Sequence, residues 1–357
     1  MGTHVSVARL NAPTASGQAT AAPPTGGVFP AEGADFGGYS LRAQAHIVAE
    51  AGPGGSTRLT RLDGQVPLLP RRTSPVGSPV AQVHLVGGAA GPLAGDQLRV
   101  LVEVGSGATL VVHSVAATLA LPGRAADSAQ PSRLEVIARV AAGGRLDWLP
   151  EPLIAATGCR HESLSTVDVA AGGFLTWRDE LVCGRHAEPC GYARQVTTIR
   201  LAGRPLYRHE LSVGPGVPGW AGPAGLAGAR AAGSLVVVDP IWAAPPRTTL
   251  VGTTPPLAAP PQATPPQAAP RQTAPPQATP PLAVLGRPEP AGWSPGPGWA
   301  PGSGPPATRI LGPTAVIMPL AGPALLACAT GSDPRTVRAA LDEARPRQTL
   351  PDQTRPD

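Results

Sequence analysis

Residues 81–112 read AQVHLVGGAAGPLAGDQLRVLVEVGSGATLVV, and the alternation inside them decides the fold class. Ala81, Val83 and Leu85 alternate with Gln82 and His84. After a Gly-rich turn, Leu98, Val100, Val102 and Val104 share one side while Gln97, Arg99 and Glu103 take the other. Successive side chains of a strand point to opposite faces, so each run predicts a half-buried β-strand. GSGA at 105–108 joins two such strands with no helix N-terminus to receive a phosphate, and it reads as a hairpin turn.

The same design recurs on both sides. In Ser40–Ile47 the apolar Leu41, Ala43, Ala45 and Ile47 alternate with polar residues, and Leu134, Val136, Ala138 and Val140 repeat the pattern. Glycines punctuate the runs at 105/107, 143/144, 172/173 and 203, at intervals of roughly 30 to 38 residues. A recurrent strand–turn–strand unit predicts a mainly β protein, built as an extended, β-helix-like stack of antiparallel sheets, and argues against a doubly wound α/β sheet. About two α-helices are expected beside it. Asp333 as N-cap, Pro334 at the first helical position and Val337, Leu341 and Ala344 at helical spacing predict one. The Ala/Gly-rich Ala224–Ala232 predicts a short second one, leading into the apolar strand Leu235–Val238.

The chain has 357 residues, of which 44 are Gly and 47 are Pro, about twice the usual combined share. Much of that excess lies in 245–306, where 255–284 are six five-residue units, PPLAA, PPQAT, PPQAA, PRQTA, PPQAT and PPLAV. Paired prolines fix φ and remove donors, so this disordered insert can form polyproline II but neither helix nor ladder. The expected organisation is a loose leader at 1–36, a β-stack domain at 37–244, the insert at 245–306, the closing strands and helix of the same domain at 307–345, and a tail at 346–357. Ile310–Thr330 carries no charge, but Gly312, Pro313, Pro319, Gly322 and Pro323 break it into two short buried strands instead of a membrane helix. No secretory signal is visible and four cysteines suit a reducing compartment, so a cytoplasmic location is expected. All 28 basic residues are Arg, scattered among 23 acids without an aromatic-laced stripe, which excludes a nucleic-acid surface.

No motif for an activated nucleophile, a zinc-dependent hydrolase or a phosphate loop is present, and isolated acids such as Glu151 and Asp168 have no evident mate. Cys159, His161, Cys183, His186 and Cys190 form the cluster with metal-ligating chemistry. Cys183, His186 and Cys190 could close a loop on one ion, although no CxxC pair supports a tight structural site. A structural site, transient metal contact and ordinary cysteines are all open readings of it.

Four stretches, taken in order and spacing, resemble the urease accessory protein UreD (UreH) family. They are Val83–Val112, where Asp96 falls on the family's Asp; GGRLDWLPEPLI at 143–154, close to the signature LEWLPQ with Asp147 and Glu151 substituted; FLTWRDELVCGRHAE at 174–188; and the hairpin RLAGRPLYRHELSVG at 200–214. The resemblance covers about 37–240 and resumes weakly over 308–345. The chain departs from the family at His113, Leu119, Leu121 and Pro122, and at Pro189–Cys190. The resemblance implies a non-catalytic scaffold with no tightly bound cofactor. It implies binding to a helical partner, UreF, and through it to the nickel-carrying GTPase UreG, on apo-urease, with nickel in transit through an internal channel. Asp96, Cys183, His186 and Cys190 are the transit candidates. Asp96 either caps its turn by accepting backbone N–H bonds or lines a cation path. The alternative is a metal-binding protein or metal-dependent hydrolase built on the Cys/His cluster.

Overall fold

The computed structural model describes residues 40–123, 130–243 and 307–345; the leader, the Pro-rich insert and the tail lie outside these. In chain order the strands are β1 (Arg42–Ala51), β2 (Thr57–Gly64), β3 (Leu68–Arg72), β4 (Ala81–Gly87), β5 (Gln97–Val104), β6 (Thr109–Ser114), β7 (Thr118–Ala120), β8 (Ser132–Val140) and β9 (Arg145–Leu149). They continue as β10 (Leu153–Ala155), β11 (Arg160–Val169), β12 (Phe174–Cys183), β13 (Tyr192–Leu201), β14 (Arg204–Val213), β15 (Ala231–Val238), β16 (Arg309–Gly312), β17 (Ala315–Pro319) and β18 (Ala324–Gly331), before the helix α1 (Pro334–Glu343).

From β4 to β13 the chain winds between two facing sheets. β5, β8, β11 and β13 lie side by side in a seven-stranded sheet, and β4, β6, β9 and β12 in an eleven-stranded one. Each strand returns to its sheet beside the strand of the previous coil and in the same direction, so these ladders are parallel. The expected β-stack is what forms, but antiparallel pairing is confined to its ends: β1–β2 and β13–β14 in one sheet, β3–β4 and β12–β15–β18–β17–β16 in the other. The GSGA turn is therefore no hairpin. It carries the chain across from β5 to β6, because Leu110 and Val112 cover from the opposite sheet the core that Val100, Val102 and Val104 cover from theirs.

The glycine punctuation marks where the coils turn and stack. Ala141 N–H donates to Val104 O at 2.9 Å, Ala170 to Val140 O at 2.8 Å and Ala202 to Val169 O at 2.8 Å, so each turn rests on the one before. Gly143 takes φ +72, and a Cβ at Gly144 would sit 2.7 Å from Gly105 O, so larger residues do not fit at this crossing. At 200–205 the expected hairpin forms, with Ala202 and Gly203 both at positive φ, as a tight two-residue turn requires.

Of the two expected helices one forms among the described residues. Asp333 accepts from Arg335 N–H at 2.8 Å, Pro334 opens α1, and Val337 and Leu341 are buried against the eleven-stranded sheet with Leu235, Leu325 and Trp242. Ala224–Ala232 instead makes turns and the start of β15, because Ala227 and Gly228 take positive φ, which no α-helix tolerates. Ile310–Thr330 folds as parts of three strands where two were expected, since the turn at Pro313–Thr314 doubles β16 back on β17. Among the described residues no helix is long and apolar enough to cross a membrane.

Candidate functional site

Between the sheets the inward side chains change character along each strand. On β12 they run Leu175, Trp177, Asp179, Leu181, Cys183; on β11, Val169, Val167, Ser165, Ser163, His161; on β13, Ile199, Thr197, Gln195, Ala193. The first residues belong to the main hydrophobic core, and Leu181, Cys183 and Ala193 to a second apolar cluster at the far end. A polar layer of Asp179, Thr197, Ser165, Gln195, Ser163 and His161 is thus held between two hydrophobic ones. All of these but Thr197 line a cavity of about 450 Å³, and its lining turns apolar along the same two sheets, with Leu98, Val100, Leu134, Val136 and Trp148. Parallel register lines these residues up, with Ser163 beside Gln195 and Ser165 beside Thr197.

Asp179 is the carboxylate of this layer. Its Oδ2 accepts from Thr197 Oγ1 at 2.6 Å and from Trp177 Nε1 at 3.1 Å. Those bonds favour the charged form, but burial outweighs them and pushes the carboxyl from 3.8 up to about 6. The folded protein therefore holds this proton more tightly than the unfolded chain. The associated stability is complete below about pH 3.8 and is lost as pH rises through about 6. Asp179→Asn should accordingly gain stability relative to wild type as pH rises from about 3.8 to about 6 and keep that gain above it, read from urea midpoints; parallel pH profiles would show that Asp179 titrates normally.

His161 is fully buried, and burial pushes its ring down to about 4, so it stays neutral. Its Nδ1 lies 2.9 Å from Ser132 Oγ, which is itself 3.2 Å from Arg160 O. A carbonyl only accepts, so the serine hydroxyl donates to it and its oxygen accepts from Nδ1–H. That leaves Nε2 as a bare acceptor with no hydrogen-bond partner among the described residues.

On β12, Arg178 and Glu180 flank Asp179 and are buried where α1 packs on the strand. Arg338 from α1 meets Glu180 Oε2 at 2.5 Å and Glu151 Oε1 at 2.8 Å, while Arg178 donates to Asp342 and to the carbonyls of Leu149 and Pro150. Glu151 thus has the mate that sequence could not supply, and the Arg338 hydrogen bond holds its carboxyl below the usual range. This network ties α1 to β12 and to the LDWLPEP segment, and Glu151, Asp179 and Glu180 all line the cavity.

The residues singled out from sequence fall apart in space. Asp96 is buried, with Oδ1 accepting from Leu41 N–H at 2.8 Å and Oδ2 from Leu93 N–H at 2.9 Å, which is the capping geometry. It braces the loop whose Gly91 and Pro92 line the cavity. Cys183 and Cys190 come together in one apolar cluster, whereas His186 is exposed on the loop between them. Cys159 packs in the same cluster as Cys183, its thiol pushed up to about 11 by burial. No group of three or more His, Cys, Asp or Glu side chains among the described residues is arranged to hold a metal ion. Sequence reasoning missed Asp179, Arg178 and Glu180, although WRDE inside an otherwise apolar strand was the available signal: such charges survive there only when paired or functional.

Residues 41–264 match the family model described as UreD urease accessory protein. The chain belongs to the UreD family. Among curated relatives it is 44% identical over 240 residues to urease accessory protein UreD of Frankia alni, covering 58% of this chain and 80% of that one. It is 46% identical over 214 residues to UreD of Streptomyces avermitilis, covering 59% and 83%. Over 306 residues it is 37% identical to UreD 3 of Streptomyces griseus, covering 85% of this chain and 96% of the relative. In this UreD-family chain the family match takes in every residue of the polar layer, while β16–β18, which complete the eleven-stranded sheet, and α1, which packs on it, lie beyond the match.

Proposed function

We propose that this chain is a non-catalytic cytoplasmic scaffold for urease maturation, which assembles with the helical UreF and the nickel-carrying UreG on apo-urease and promotes nickel insertion. The observation that carries the reading is the polar layer inside a UreD-family β-stack, with a half-buried carboxylate and a bare imidazole nitrogen around a cavity of about 450 Å³. Nickel(II) is a borderline cation that accepts imidazole nitrogen and carboxylate oxygen. A row of weak donors suits passage, because each can release the ion it has bound. Asp179, His161, Gln195 and Ser163 would offer such donors in turn, and nickel is cargo in this reading.

Asp96 enters the proposal chiefly by shaping the cavity loop, since backbone N–H groups already use both its oxygens. Cys183 and Cys190 offer soft donors at the far end, with His186 outside them on the surface. Affinity purification of the tagged full chain from cells expressing the urease gene cluster tests the assembly. Co-purification of a helical partner, a P-loop GTPase and the urease subunits is the expected result, and recovery of the chain alone from lysates that contain all of them would overturn it.

A further inference from the structure

Cys183 ends β12 and Cys190 lies seven residues on, across the loop Gly184–Pro189. Two backbone contacts bring the ends of that loop together. Gly184 N–H and Gly191 N–H, each one residue after a cysteine, both donate to the same oxygen, Ala155 O, at 2.9 and 3.1 Å. Arg230 fastens the loop from the side, donating through Nη2 to the carbonyls of Cys183, Arg185 and Glu188, at 3.1 Å and 2.8 Å for the last two. Glycine is required at 184, where φ is +76 and a Cβ would lie 2.5 Å from Glu188 O. The outcome is two free thiols at the closed ends of one loop and packed in the same apolar cluster, Cys183 buried at the end of a strand and Cys190 half-exposed, its Sγ 3.2 Å from Gly191 O.

We infer that Cys183 and Cys190 form a reversible dithiol–disulfide site, closed by exchange with a small disulfide of the glutathione class. In the exchange one cysteine attacks a sulfur of the small disulfide as its thiolate, forming a mixed disulfide and releasing one thiol. The second cysteine then attacks the protein sulfur of that mixed disulfide. An S–S bond forms between Cys183 and Cys190, and the second small thiol leaves. The protein loses two electrons and two protons, and the small disulfide is reduced to two thiols. Half-exposed Cys190 gives the reagent access, and the shared clamp on Ala155 O keeps the partner sulfur in reach for the second step. Cys328, on β18, serves as an internal control, and buried Cys159, whose carbonyl accepts from Tyr192 N–H at 3.0 Å, is the competing thiol that the pairing must discriminate against.

The test uses the reduced full-length protein, incubated with excess glutathione disulfide, acid-quenched, alkylated and digested with trypsin. Cleavage after Arg178, Arg185 and Arg194 separates the two cysteines, so the bond joins the peptides 179–185 and 186–194. The expected result is that linked pair as the dominant oxidised species, reversed by dithiothreitol, with Cys159 and Cys328 recovered alkylated. In Cys190→Ser and Cys183→Ser the linked pair should vanish, and a one-to-one glutathione adduct should accumulate on the remaining cysteine of the pair. Adducts without the linked peptides in the wild-type chain, or a bond to Cys159, would overturn the assignment. The outcome does not depend on urease and is separate from the maturation reading.

Discussion

Trp148→Ala should lower the free energy of unfolding by about 3–5 kcal/mol, the range for deleting a large aromatic from a packed core. The ring is 4% exposed and stacks on Trp177, with centroids 5.1 Å apart and planes 11° from parallel. The two tryptophans are register partners on the parallel strands β9 and β12, so the stack follows from the coil geometry. Its position adds to the cost. Trp148 belongs to the main core and also lines the cavity, so it separates hydrocarbon from the polar layer. Truncation would join a new void to that cavity and loosen Trp177, whose Nε1 holds Asp179. Urea denaturation of the purified variant measures the loss. A change below about 1 kcal/mol would mean that the layer refills without penalty, and a variant that is stable yet fails to bind its partners would place Trp148 at an interface instead.

Much of the stack was legible because period-two alternation needs only the next residues along the chain. Leu98–Val104 and Leu134–Val140 show their inward faces without reference to any neighbour, and the Gly pairs mark the turns. Pairing sense was not legible. Whether GSGA doubles a strand back or sends it across to a facing sheet depends on which coil lies alongside, and the local sequence is compatible with both. The short helix expected at Ala224–Ala232 failed because alanine content promised more than glycine at positive φ allowed. Of the candidate site, Cys183 and Cys190 were visible from their spacing. Asp179, His161, Gln195 and Thr197 come from three strands of two facing sheets and converge only through register and sheet packing, so no linear motif announces them. Glu151 looked isolated because its partner Arg338 lies 187 residues away.

The maturation reading makes a prediction about a protein other than this one. A scaffold with a cation-permissive interior and no activated nucleophile should change the metal content of its client and leave the client's polypeptide intact. Loss of this chain should therefore leave the host's urease subunits synthesised and assembled but nickel-poor, with activity falling in proportion to the missing metal. Asp179→Asn should be milder, since it keeps the hydrogen-bonding shape of the layer and removes only its carboxylate charge. The most direct measurement is nickel per urease active site, by mass spectrometry of the purified enzyme from cells lacking this gene and from the same cells complemented with the full chain. The account predicts urease protein at wild-type abundance with most of its nickel missing, restored by complementation. Urease carrying its full nickel and full activity without this chain would contradict it.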